Sequence, residues 1–396
     1  MTASTEPRAL DSGADGPLGE RWRAAAEQEQ RAVLPRGEVV VSCSAPRDSG
    51  GLGRHLGELA HALEAANGRA PICIDGERGA SDPEPQGGSA RRRGLRAPAW
   101  EEALAAARLP IAPGIRTWAH MRAFDTRTAR ALPRAEHVVA FNGQALAQLR
   151  AARAAGYETT LLVSANSHMQ QVLERHELAR RRYPLEGSWA AHMLRRNLAE
   201  YEQAERIYFA SDYIRESFLA RGVPAERLVR FPLTPAPRFR PAEARGVERP
   251  ASRASFEIVY VGSLAVHKGV PLLIDAFRRL GQAELKLRLV GGWGSRGMRR
   301  FVQAACAADS RIVVSPGDPL PYLRGASLCV HPAYEDGFGY APAEALAAGV
   351  PVLVSEDTGM KELIGSSREG LVLPTGDAGA LSEAIEAACR GEIFAG

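Results

Sequence analysis

One order of elements is written twice along this chain, and it limits the fold more than any other feature: an apolar run, a glycine-rich turn, then an amphipathic stretch. The first copy is Val39-Val40-Val41-Ser42-Cys43, then Asp48-Ser49-Gly50-Gly51-Leu52-Gly53, then residues 54–66 with Leu56, Leu59, Ala60 and Leu63 on one helical face. The second copy is residues 258–261, the turn Gly262-Ser263, Lys268-Gly269, and a helical stretch at 270–280. Further strand-like runs fall at 71–75, 138–141, 160–165, 206–210, 286–290, 326–330 and 352–355, and helical patterns stand at 145–155 and within 169–201. Strands that alternate with helices predict parallel sheets covered on both faces. The expected class is therefore α/β, with two Rossmann-like domains in series and their sheets facing across an interdomain cleft.

Boundaries follow from composition. Residues 1–36 read as an N-terminal extension, polar and disordered at first and then helical at 20–33. Residues 37–235 form the first domain, 236–255 a linker rich in Pro and Arg, and 256–396 the second domain. Within the first domain, residues 77–98 carry Pro, Gly, Ser and the run Arg91-Arg92-Arg93, and read as a loop or disordered insert. A chain of 396 residues is long enough for two cores. It has no run of about 18 apolar residues and no charged-then-apolar leader, so the expectation is a cytoplasmic protein that crosses no membrane. Its five cysteines are scattered in apolar runs or helices without a Cys-x-x-Cys spacing, which implies neither a disulfide framework nor a metal site.

The charge is uneven. Residues 1–240 hold 34 Arg against 28 Asp and Glu, about +6, and since the whole chain is +4 the remainder is about −2. That excess permits peripheral attraction to anionic lipid at the inner membrane face. No basic stripe interleaved with aromatics occurs, so a nucleic-acid partner is not indicated. Only three lysines stand among 50 basic residues, Lys268, Lys286 and Lys361, which draws the eye to Lys268 after a glycine turn.

The densest local signal runs from His331 to Val354: a strand end, Asp336-Gly337-Phe338-Gly339, a helix start at Pro342 with Glu344 in its first turn, and a second strand after Gly349 and Pro351. Open N–H groups at a helix start favour a phosphate. A carboxylate at Glu344 can accept two hydrogen bonds from a ribose cis-diol, although a solvated first-turn Glu that merely suits the helix dipole fits the same spacing.

With Gly337-Phe338-Gly339 between them, Asp336-x7-Glu344 resembles the Glu-x7-Glu motif of the retaining family 4 glycosyltransferases, which have the GT-B fold. The segment from Gly262-Ser263 to Lys268-Gly269 is similar to that family's Gly-Arg-Leu…Lys-Gly stretch, with Ser263 where Arg is usual, and Gly50-Gly51-Leu52-Gly53 resembles its first glycine loop. The resemblance covers roughly residues 39–388 and implies a retaining, metal-independent transfer of a sugar from a nucleotide-diphosphate sugar to a hydroxyl acceptor on a glycan, a lipid or a small molecule. It implies that Asp336 touches the donor sugar, Glu344 the ribose and Lys268 the diphosphate, with Gly51, Gly53, Ser263, Gly337, Phe338 and Gly339 also at the donor. His168, just past a predicted strand end, is the first-domain candidate for sugar or acceptor, with a satisfied structural histidine as its alternative; His55 is a poorer one, and His267 reads as exposed beside Lys268. No Asp-x-Asp occurs, so neither a metal nor any other cofactor is called for. Two other readings stay open: a sugar-nucleotide epimerase of similar fold, and a catalytically impaired binding or scaffold subunit, for which Ser263 and the shorter Asp336 speak.

Overall fold

The structure, a computed structural model, describes residues 18–76, 91–94, 113–187, 191–239 and 256–394. Strands β1 (Val39–Cys43), β2 (Ile72–Asp75), β3 (Arg91–Gly94), β4 (His137–Phe141), β5 (Thr159–Val163), β6 (Arg206–Phe209) and β7 (Leu228–Arg230) form one sheet in the order β3-β2-β1-β4-β5-β6-β7. Strands β8 (Phe256–Val261), β9 (Leu285–Val290), β10 (Ile312–Ser315), β11 (Leu328–His331), β12 (Val352–Ser355) and β13 (Gly370–Leu373) form the other, in the order β10-β9-β8-β11-β12-β13. Every pairing is parallel. Parallel strands need helical crossovers, so both faces are covered, and every residue of β1 and β4 is buried, the polar Ser42 and His137 included. In each sheet the strand order reverses beside the first strand of the half, between β1 and β4 and between β8 and β11. Loops leaving the carboxyl ends of such strands part to leave a crevice.

Several expectations change. The glycine loop is shorter than its sequence suggests: the helix Gly50–Asn67 starts four residues before Arg54, so Gly51 and Gly53 lie in its first turn. Gly53 is needed for packing, because a Cβ there would stand 2.0 Å from the Pro46 carbonyl oxygen. The presumed insert contains a strand, β3, whose backbone pairs with β2; residues 77–90 and 95–98 lie outside the described residues. The single helical region within 169–201 is two helices, Met169–Arg182 and Ala191–Gln203. A helix not foreseen at all, Pro113–Ala131, packs beside the helix Leu146–Ala154.

Of the N-terminal extension, residues 18–33 are helical, and residues 1–17 lie outside the described residues. The helix Leu18–Val33 buries Trp22, Ala26 and Gln30, one residue per turn, and the stripe ends in Leu34 just past the helix. Gln30 Nε2 donates to the Pro232 carbonyl at 2.7 Å, and the Trp22 ring lies 6.0 Å from that of Phe338 in the second domain. The helix therefore touches both halves. The start of the linker is packed too, with Phe239 buried and Arg238 paired with Asp318 at 2.8 Å; residues 240–255 lie outside the described residues.

Candidate functional site

Two loops meet at the reversal point of the second sheet. One leaves β8 and carries Ser263, His267, Lys268 and Gly269 into the helix Val270–Arg278; the other leaves β11 and carries Pro332 to Gly339 into the helix Tyr340–Ala347. Lys268 Nζ lies 3.0 Å from Asp336 Oδ2 and 3.2 Å from the Glu335 carbonyl oxygen. His331, the last residue of β11, places Nε2 2.9 Å from that same Oδ2. Burial pushes the Asp336 carboxyl up, but the Lys268 ammonium and His331 together hold it well below the usual carboxylate range. Its backbone is held as well: the Asp336 amide donates to the Asp357 carbonyl at 3.0 Å, and the Gly359 amide donates to the Asp336 carbonyl at 2.9 Å. Both Lys268 and Asp336 keep about a fifth of their side chains exposed, so this pair faces solvent from a fixed base.

Glu335, next in the chain, turns the other way. It is buried and accepts from Ser167 N and Ser167 Oγ, both at 3.0 Å, across the domain boundary. The following loop is pressed against the first domain: a Cβ on Gly337 would stand 2.3 Å from the Ala165 carbonyl oxygen, and Ser211 Oγ donates to the Gly337 carbonyl at 2.6 Å. Gly339 then caps the helix Tyr340–Ala347, and Phe338 is buried against Trp22 and Tyr340.

Glu344 is in the second turn of that helix, not the first, and it is buried, which removes the reading of a solvated first-turn Glu. Its carboxylate is ion-paired with Arg54 from the helix Gly50–Asn67. The Arg54 guanidinium lies 4.3 Å above the Tyr340 ring, and Tyr340 donates its hydroxyl to Glu58 at 3.1 Å. Glu58 also accepts from the Thr234 amide at 3.0 Å, and burial pushes its carboxyl up to about 7. Burial likewise pushes Glu344 up, with Arg54 pulling against it.

The remaining residues singled out in the sequence divide. Ser263 is exposed at the mouth of the β8 loop. His168 is engaged within the first domain: its Nδ1 accepts from the Gln170 amide to cap the helix Met169–Arg182, its ring packs on Tyr201 and Phe218, and burial lowers it to about 4. His55 is buried against Phe141 and Phe231. His267 is half-buried instead of exposed, its ring stacked 4.1 Å from that of His176 in the first domain. The sequence reading missed His331, Arg54, Glu58, Tyr340 and Ser167. Arg54 and Glu58 stand four apart on one helix face, a signal visible in the sequence, whereas Ser167 and Glu335 meet only because the domains do.

Residues 255–390 match the profile of the family described as Glycosyl transferases group 1. Over this stretch the chain is similar to that family. The group 1 match takes in β8 through the helix Ala378–Cys389, and with it Lys268, Asp336 and Glu344. The chain is 28% identical to O-antigen chain mannosyltransferase B of Escherichia coli over 198 residues, 46% of this chain and 51% of that protein. It spans about half or less of the length of the curated relatives it matches. Among solved structures, it resembles a sucrose-phosphate synthase of Thermosynechococcus elongatus at a TM-score of 0.68 and 23% identity, covering 89% of this chain and 90% of that one. It also resembles Anabaena HepE in complex with UDP, at 0.59 and 14% identity with 90% of each chain covered. These likenesses span both sheets, and the fold is GT-B as the motifs implied.

Proposed function

We propose that this protein is a retaining glycosyltransferase that moves a sugar from a nucleotide-diphosphate sugar to a hydroxyl acceptor. The observation that carries the reading is the Lys268–Asp336 pair, set face to face on the β8 and β11 loops at the reversal point, with Glu344 eight residues further on. Lys268 would meet the charge that grows on the leaving diphosphate, and Glu344 would accept the ribose hydroxyls. Asp336 has Oδ2 engaged by Lys268 and His331, which leaves Oδ1 for a hydroxyl of the donor sugar. In the reaction the bond from the sugar's anomeric carbon to the diphosphate oxygen breaks. The acceptor oxygen bonds that carbon from the same face, and the acceptor proton passes to the departing phosphate oxygen.

The absence of any Asp-x-Asp in the sequence supports a diphosphate held by Lys268 and loop amides without a metal. Among the described residues no helix is long and apolar enough to cross a membrane. The basic first half is compatible with an acceptor carried on anionic lipid, and retention of a soluble product in a vesicle-binding assay would count against that.

The test is nucleotide release. The protein is incubated with a panel of nucleotide sugars and hydroxyl acceptors, with and without a chelator, and the anomeric configuration of the product is read by NMR. Transfer with retained configuration in the chelator is expected. An inverted product, or activity abolished by the chelator and restored by a divalent cation, would sink that part of the reading; nucleotide binding without transfer would point to a binding subunit.

A further inference from the structure

The ion pair between Arg54 and Glu344 joins the two domains at the carboxylate assigned above to the ribose, and this inference rests on that assignment. Arg54 rises from the second turn of the helix Gly50–Asn67, just after the crevice of the first sheet. Its guanidinium is placed by two contacts, the ring of Tyr340 beneath it and Glu344 at Nη2. Its Nε and Nη1 groups have no hydrogen-bond partner among the described residues, and the side chain stays 28% exposed while Glu344 is 2% exposed. So the arginine is oriented and charged, with part of its N–H fork unused.

The second domain alone is poorly furnished for a diphosphate. Lys268 shares its charge with Asp336, and Ser263 brings a hydroxyl but no charge. A multiply charged leaving group therefore needs a further cation. Arginine suits it better than lysine, because its planar fork meets phosphate oxygens with paired hydrogen bonds. The ribose hydroxyls and the diphosphate of one nucleotide lie within a side chain's reach of each other. If Glu344 turns to the hydroxyls, the guanidinium beside it is released next to the phosphates.

We propose that Arg54 is a donor-binding residue supplied by the first domain: on entry of a nucleoside diphosphate, Glu344 exchanges Arg54 for the ribose hydroxyls and Arg54 directs its N–H groups to the diphosphate. The donor site is then complete only with both domains in place. Glu58, held by Tyr340 and the Thr234 amide, marks the fixed side of the same contact and keeps Tyr340 under the guanidinium.

The experiment compares wild type, Arg54→Gln, Arg54→Lys and Glu344→Gln by calorimetric titration with UDP, GDP and ADP and with the matching bare nucleosides. Charge-assisted hydrogen bonds of this kind are worth enough that Arg54→Gln should weaken the preferred diphosphate about tenfold or more. The bare nucleoside should bind as before or more tightly, since Glu344 has lost its competitor. Arg54→Lys should fall between, and Glu344→Gln should weaken diphosphate and nucleoside alike. Unchanged or tighter diphosphate binding by a folded Arg54→Gln protein would overturn the proposal and reduce Arg54 to a clasp that the nucleotide merely displaces. A wild-type protein that binds none of the diphosphates would instead overturn the donor-site reading, and this inference with it.

Discussion

His331 Nε2 and Lys268 Nζ converge on a single oxygen, Asp336 Oδ2, at 2.9 Å and 3.0 Å. An Asp is one methylene shorter than the Glu usual at this position of the motif, and two donors on one oxygen fix where its other oxygen points. The arrangement also fixes its charge. Asp336 is held well below the usual carboxylate range, so it stays ionised through the neutral range and well into the acid range.

His331→Ala should therefore raise the Asp336 carboxyl toward its ordinary value. The sign follows from the depressed folded value: the ionised form is favoured by its partners, and removing one moves protonation to higher pH. The acid limb of kcat/KM against pH should shift upward, while donor KM changes less than kcat. An acid limb that stays in place in His331→Ala would mean that Lys268 alone sets the Asp336 charge.

Lys268→Ala should lower kcat by roughly 100-fold or more, the scale seen when a positioned group that meets developing charge is removed. It should also leave Asp336 without its cation, so donor affinity ought to fall as well. A variant with unchanged kcat, measured with saturating donor, would remove Lys268 from the leaving-group role.

How far the sequence could be read depends on the range over which each feature is decided. The parallel strands were legible because β1 and β4 are buried throughout, β8 is buried at Ile258, Val259 and Tyr260, and all three are short and mostly apolar, a pattern set within a few residues. Lys268, Asp336 and Glu344 stood out as candidates because each sits at a fixed offset from a glycine turn. The strand β3 was hidden, since an edge strand spelled Arg91-Arg92-Arg93-Gly94 lacks an apolar run and is fixed by pairing with Ile72–Asp75. His168 stayed open between two readings for a related reason. Its place after a strand end fits a ligand-binding turn and a helix cap equally, and in the structure its Nδ1 accepts from the Gln170 amide as a cap while its ring packs on Tyr201 and Phe218. The partners of Glu344 and Glu335 come from residues about 290 and 168 positions away, where local spacing carries no information.

Stability should fall as pH rises through neutrality. Burial raises Glu58 to about 7, and it raises Glu362, which pairs with Arg230 at 2.6 Å and accepts from the Asp212 amide at 2.8 Å, to about 7 as well. Both groups lie on the domain boundary. A carboxyl whose folded value is raised contributes stability that is complete below its unfolded value, about 4.3, and lost as pH climbs through its folded one. Glu200, buried within the first domain, is raised to about 7 too and contributes in the same direction. Thermal melts between about pH 5 and pH 8 should show a declining midpoint. The decline should be shallower in Glu58→Gln, which keeps an acceptor for the Thr234 amide but cannot ionise. Parallel slopes for the two proteins would exclude Glu58 as a source.

Trp22→Ala tests whether the helix Leu18–Val33 ties the halves together. The Trp22 ring is 7% exposed and packs on Phe338, in the loop that joins Asp336 to Glu344. Removing a buried aromatic of this size costs about 3–5 kcal/mol in a well-packed site, and less where neighbours can close over the gap. Here the gap would open at a domain boundary, so part of the loss should appear as freer motion of Phe338 and not only as a lower melting point. Nucleotide affinity is expected to drop with it, because Gly337 to Gly339 are braced from that side. A Trp22→Phe variant keeps an aromatic contact and should recover most of both. If Trp22→Ala lowers the melting temperature yet binds a nucleoside diphosphate as wild type does, the helix supports the fold without shaping the site.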